Sequence, residues 1–170
     1  MNLCASVACI RMAVAAIAAA AISVAAQPGR FLVLPREARP LLDARYPGWR
    51  VAPVIQPVRE ELLVRAPGAD PNIIAGDFDG NGEEDYIILL QYERAASLGA
   101  SAVVDEAVAL MSARGSYTVL PIQGFEPDNL RYLTLEAKGK DGRSRDAVAV
   151  RKVGGSATIY VFSDGRFKPA

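Results

Sequence analysis

The chain has 170 residues, 51% of them hydrophobic, and its 19 basic and 19 acidic side chains cancel. Two of the residues are cysteines and none is a histidine. The balanced charge gives no electrostatic ground for a nucleic-acid or anionic-membrane partner; without histidine no Ser-His-Asp triad can be assembled, and with only two cysteines besides there is no usual zinc ligand set.

Residues 1–26 read as a secretory signal peptide. Arg11 precedes the apolar run Met12 to Ala26, and the small residues Val24 and Ala26 stand before Gln27 at a cleavage site. The run is shorter than the about 20 apolar residues of a membrane span. Cys4 and Cys9 lie ahead of it, whereas a lipoprotein cysteine would follow it. Cleavage after Ala26 removes both cysteines and Arg11, so the mature chain carries one excess negative charge and no thiol. It can form no disulfide even in an oxidising compartment. The expected location is periplasmic or secreted, with no membrane span after cleavage.

Residues 27–35 read as a flexible leader, and residues 36–170 as a single domain. In Arg36 to Tyr46, Leu41, Leu42 and Tyr46 recur at helical spacing before the stop at Pro47-Gly48. Pro40 is expected to confine the regular part to a turn or two after it. Trp49 to Gln56, flanked and studded by Pro53 and Pro57, suggests an edge strand or an extended linker. Trp49, just past a helix stop and near Tyr46, reads as a core plug in preference to a binding platform.

From Asn72 onward the pattern is that of strands. Ile73 to Ala75 enters an acidic loop, and Tyr86 to Tyr92 leaves it as a continuous apolar run. Glu93 to Asp105 has no clear period and reads as a variable connection. Ala107 to Ala113 and Tyr117 to Ile122 flank the hairpin signal Arg114-Gly115-Ser116. Glu126 to Asn129 is a turn. Tyr132 to Ala137, Ala147 to Arg151, Ala157 to Phe162 and Arg166 to Lys168 follow, divided by Gly139 to Gly142, Gly154-Gly155 and Asp164-Gly165. The bases Arg131, Lys138, Lys140, Arg143 and Arg145 are interleaved with Glu136, Asp141 and Asp146, which predicts a solvated hairpin face and not a polyanion site. Short strands and tight turns after a short N-terminal helix predict an α+β fold with a mainly antiparallel sheet.

The chemistry is concentrated in Asp77 to Asp85. Side-chain oxygens fall at Asp77, Asp79, Asn81 and Asp85, places 1, 3, 5 and 9 of the loop. This spacing wraps one loop around a calcium ion, which takes six to eight oxygen ligands. Gly80 and Gly82 supply the positive-φ turns, and Glu83 at place 7 would offer its main-chain carbonyl. Without a cation the crowded carboxylates would repel one another. An EF-hand would need a bidentate Glu at place 12 and a helix on each side, but Ile88 stands there in a β-prone run.

The loop resembles the calcium loop of FG-GAP or VCBS repeats of integrin-like propellers, matching at Gly76, Asp77, Phe78, Asp79, Gly80, Asn81, Gly82 and Asp85. That resemblance, which spans residues 73–90, implies a bound calcium between two strands. Such repeats normally occur in series, and a propeller needs at least about four blades. The only echo here is Asp141 to Asp146, followed by an apolar run; it lacks the intervening acids and reads as a charged hairpin turn. The layout is also similar to a group of small secreted bacterial proteins of unknown role. These share a helix ending in Pro-Gly-Trp (Tyr46 to Trp49), one Asp-x-Asp-Gly-Asn-Gly loop, and a terminal motif like Tyr160 to Phe167. This second resemblance implies no activity.

The expected function is therefore an exported calcium-binding protein. Its ion would be structural, in a non-enzymatic binding or interaction module whose partner is a protein or glycan of the cell envelope. Two alternatives use the same chain. Asp-Phe-Asp-Gly after an apolar strand also resembles the first motif of haloacid-dehalogenase-type phosphatases. That would make Asp77 a nucleophile and Asp79 a general acid in a metal-dependent hydrolase, but it requires a helix after the motif and a parallel sheet. The other alternative is an inhibitor of an envelope enzyme.

Overall fold

A computed structural model describes residues 32–95, 100–138 and 145–170. The expected signal segment, most of the leader and the Gly139 to Gly142 turn lie outside these residues. The elements in chain order are α1 (Ala38–Arg45), β1 (Arg50–Val51), α2 (Gln56–Arg65), β2 (Ile73–Gly76), β3 (Asp85–Ala95), β4 (Ser101–Ala113), β5 (Ser116–Phe125), β6 (Arg131–Lys138), β7 (Arg145–Lys152), β8 (Ala157–Ser163) and β9 (Arg166–Pro169). Among the described residues the fold is a mixed α+β arrangement of antiparallel sheets with two helices.

Two sheets are formed. In the first, β3 is central: β4 pairs along one edge, while β1 and β2 share the other, β2 opposite Asp85 to Ile88 and β1 opposite Leu90 and Gln91. β5 completes this sheet beyond β4, and the second sheet runs β6-β7-β8-β9. Apart from β1, which pairs with β3, each strand pairs with the next one in its sheet. The β4–β5 turn places Arg114 and Gly115 at positive φ (52° and 78°), and the β8–β9 turn does the same with Asp164 and Gly165 (52° and 74°). Both are the left-handed pairs that match the twist of the flanking strands.

The unbroken apolar run in β3 follows from its position between two layers. Ile87 and Leu89 face the second sheet and pack with Leu133, Val148, Val150 and Phe167. Ile88 and Leu90 point the other way, onto Leu42 and Tyr46 of the first helix and its end. A strand covered on both faces has no polar side to alternate. Trp49 is half-buried against this helix-side core, and its indole N–H donates to Asp43 at 2.8 Å. It packs against the core without being enclosed by it.

Three sequence expectations need correction. Pro40 does not precede the helix but sits in the first turn of α1, where backbone N–H groups have no helical partner to lose. A second helix, α2, occupies a stretch in which no helix was expected; Pro57 lies at its start, and Glu61–Arg65 forms an i, i+4 ion pair. Val58 and Leu62 of α2 bury Tyr132, which points away from the sheet–sheet core into which its neighbour Leu133 projects. Finally, Glu93 to Asp105 is not wholly a connection: Glu93 to Ala95 continues β3, and Ser101 begins β4 opposite Ala95.

Candidate metal site

The Asp77 to Asp85 loop joins β2 to β3, two antiparallel neighbours whose last pair is Gly76 opposite Asp85. Between them Phe78 turns inward. It is fully buried in the sheet–sheet core, with its ring edge-on to Phe167 at 6.0 Å. With that ring buried, the flanking Asp77 and Asp79 stay partly exposed at the rim. Gly80 and Gly82, at φ 78° and 84°, then reverse the chain.

The local hydrogen bonds repeat one device, a carboxylate or amide oxygen accepting N–H groups two to five residues ahead. The two oxygens of Asp77 accept from Gly80 (2.8 Å) and Gly82 (3.0 Å). Asp79 accepts from the Asn81 N–H (2.9 Å), and Asn81 Oδ1 from the Glu83 N–H (2.6 Å). These bonds curl the loop so that its acidic groups converge. One oxygen from each of Asp77, Asp79 and Asp85 lies within 4.8 Å of the others.

Asp85 differs from its two partners in being fully buried. Its oxygens accept from Phe78 N–H (3.0 Å) and, across to β4, from Ser112 N–H (2.7 Å). Burial pushes its carboxyl above the usual range and the Asp79 charge adds to that, against the two backbone donors. Each ionised pair in such a cluster repels by about 1–4 kcal/mol, depending on the local dielectric. A divalent cation would remove this repulsion.

The residues fit such an ion. All converging donors are hard carboxylate oxygens, the type that holds a divalent cation, and their mutual approach within 4.8 Å lets the three share one ion. Of the five residues expected at the site, three bring their carboxylates together. Asn81 lies on the rim with Oδ1 engaged by Glu83 and Nδ2 donating to Asp79 (3.1 Å) and to the Ser112 carbonyl (2.8 Å). The Glu83 carboxylate turns to the β4–β5 hairpin, accepting from Arg114 N–H at 3.1 Å.

Two further residues, neither of them expected at the site, support the loop. Asp146, at the start of β7, accepts from Asp77 N–H (3.0 Å) and donates its own N–H to the Asp77 carbonyl (3.1 Å), which ties the loop to the second sheet. Asp146 was expected in a solvated charged turn; an acid immediately before an apolar strand was the available signal for something more. Gly76 permits this contact, since a Cβ there would stand 2.7 Å from Asp146 Oδ2 and 3.2 Å from Leu135 Cδ1. Ser112 is the second, through its backbone.

A comparison with family models, curated proteins and solved structures finds no match to this chain. Among the described residues, no helix is long and apolar enough to cross a membrane.

Proposed function

We propose that the Asp77 to Asp85 loop is a calcium site of the FG-GAP/VCBS type, and that its ion is structural in an exported, non-enzymatic binding or interaction module of the cell envelope. The observation that carries this reading is the convergence of Asp77, Asp79 and the buried Asp85 at the junction of two antiparallel strands. A cation there would join the loop's two limbs, and through Asp146 and Ser112 it would be coupled to β7 and β4. The strand that leaves the loop runs back along the strand that enters it, which supports a structural staple over a phosphatase-like motif followed by a helix. Periplasmic or secreted location is part of the same reading, because calcium is abundant outside cells and the leading segment has the composition of an export signal.

The test is thermal unfolding of the purified protein in calcium and in chelator. At a free calcium concentration one hundred times the dissociation constant, binding adds about 2.7 kcal/mol to stability. The melting temperature should rise with calcium in the wild type and stay fixed in Asp79→Ala. Coincident melting curves for the wild type would overturn the proposal. Turnover of a phosphate ester with magnesium, lost in a folded Asp77→Asn variant, would replace it with the hydrolase reading.

A further inference from the structure

On the helix side of the molecule, a groove of about 590 Å³ runs between the segment entering α1 and the short edge strand β1. Leu34, Trp49 and Val51 supply apolar wall, and Arg36, Arg39 and Arg50 also line it; among the described residues no acidic side chain does. All three arginines are exposed. The volume lies within the roughly 300–1,000 Å³ of ordinary ligand clefts.

Arg50 is held in an unusual way. Its Nε and Nη2 both donate to Gln91 Oε1 (3.1 and 2.5 Å), and Gln91 Nε2 donates in turn to Asp105 at 2.8 Å. Gln91 and Asp105 are buried. The guanidinium is thus oriented by a neutral amide, and among the described residues no carboxylate pairs with it. Its remaining N–H groups stay available for an anionic partner.

The backbone adds a second feature. Ala52 N–H donates to Leu89 across the β1–β3 pairing, which turns the N–H and C=O of Val51 to the opposite edge of β1. Among the described residues no strand pairs with that edge. An open strand edge beside apolar wall suits an extended peptide, whose main chain can pair while alternate side chains enter the groove.

We propose that this groove binds an extended acidic peptide segment of a partner protein, with carboxylates on Arg36, Arg39 and Arg50 and its backbone along the free edge of β1. The inference rests on the binding-module reading and gives it a partner class, but it does not depend on the metal. A sulfated glycan would match the charge and leave both the apolar wall and the strand edge unused.

The experiment is fluorescence anisotropy on the full chain with a labelled octapeptide of alternating Glu and Val. A Lys-Val octapeptide and a sulfated oligosaccharide serve as comparators. The Glu-Val peptide should bind saturably and the Lys-Val peptide should not. Arg36→Gln/Arg39→Gln, at two exposed positions, should weaken binding about tenfold or more, and Arg50→Gln should weaken it as well. Absence of saturable Glu-Val binding, equal affinity in the double variant, or stronger arginine-dependent binding of the oligosaccharide would overturn the inference. Running each titration in calcium and in chelator separates the two readings. Peptide binding without calcium sustains the groove even if no ion binds the loop, and a calcium-responsive protein that ignores the peptide overturns the groove alone.

Discussion

Gly76 and Asp146 illustrate how tightly single residues constrain the loop. Gly76 has an ordinary negative φ, so its requirement is for space and not for backbone freedom. Gly76→Ala should destabilise the protein by about 1–3 kcal/mol, the cost of overpacking a filled site. Asp146→Ala leaves the Asp77 N–H without its acceptor, but it also removes the atom with which the new Cβ collides. The two changes should therefore combine to less than the sum of their separate effects, as expected for residues in contact. Urea unfolding of both single variants and the double variant measures this, and strict additivity would contradict the packing described. Phe78 makes the complementary point. Its ring anchors the loop from below, and Phe78→Ala should cost about 3–5 kcal/mol, as for other buried aromatic truncations; a loss under 1 kcal/mol by the same measurement would show that the loop holds itself.

Among the elements, α1 and β3–β4 meet over a polar group enclosed by aromatic rings. Tyr46 and Tyr92 stack edge to face at 4.9 Å, and both phenols donate to Glu106, at 3.3 and 2.7 Å. Burial first, and then the Glu106 charge, raises the Tyr46 phenol from its ordinary value near 10 to about 12. The folded state therefore holds this proton more tightly than the unfolded chain. Its contribution to stability is complete below about pH 10 and is lost as pH rises through about 12. Denaturant midpoints measured across that interval should fall steadily, and the fall should be shallower in Tyr46→Phe. Equal slopes in the two proteins would contradict the assignment to Tyr46.

How far these elements were legible depended on what each buries. The strands from Ile73 onward were readable because their turns carry Asp-Gly, Arg-Gly and Gly-Gly signals and because β3 is apolar on both faces. The convergence of Asp77, Asp79 and Asp85 was readable because all three belong to one local loop. What the sequence concealed depends on contacts distant along the chain. Helix α2 hides its apolar face in only two buried residues, Val58 and Leu62, whose partner Tyr132 lies on β6. Asp146 reaches the loop only through pairing of β6 with β7, and the Arg50–Gln91–Asp105 chain crosses three strands. Charged ends of strands look alike in sequence whether they meet solvent or another carboxylate's neighbour.

At the scale of the whole molecule, the two sheets share one core through β2, β3 and β6, and the acidic loop sits at the rim of that core. From Gln27 onward the sequence contains no cysteine, so no disulfide can close a loop there. A divalent ion at the loop would perform that service by linking β2 and β3 directly, and β4 and β7 at one remove. The arginine-lined groove lies beside α1 and β1, against the other face of the first sheet. The architecture thus separates a proposed stabilising centre from a proposed recognition surface, so a loss at one need not accompany a loss at the other.

The most direct measurement is calorimetric titration of calcium into chelator-stripped protein. The account predicts saturable heat with one ion per chain in the wild type, and none in Asp79→Ala that remains folded. A wild-type titration indistinguishable from buffer would contradict it, because the three convergent aspartates would then tolerate one another without a cation.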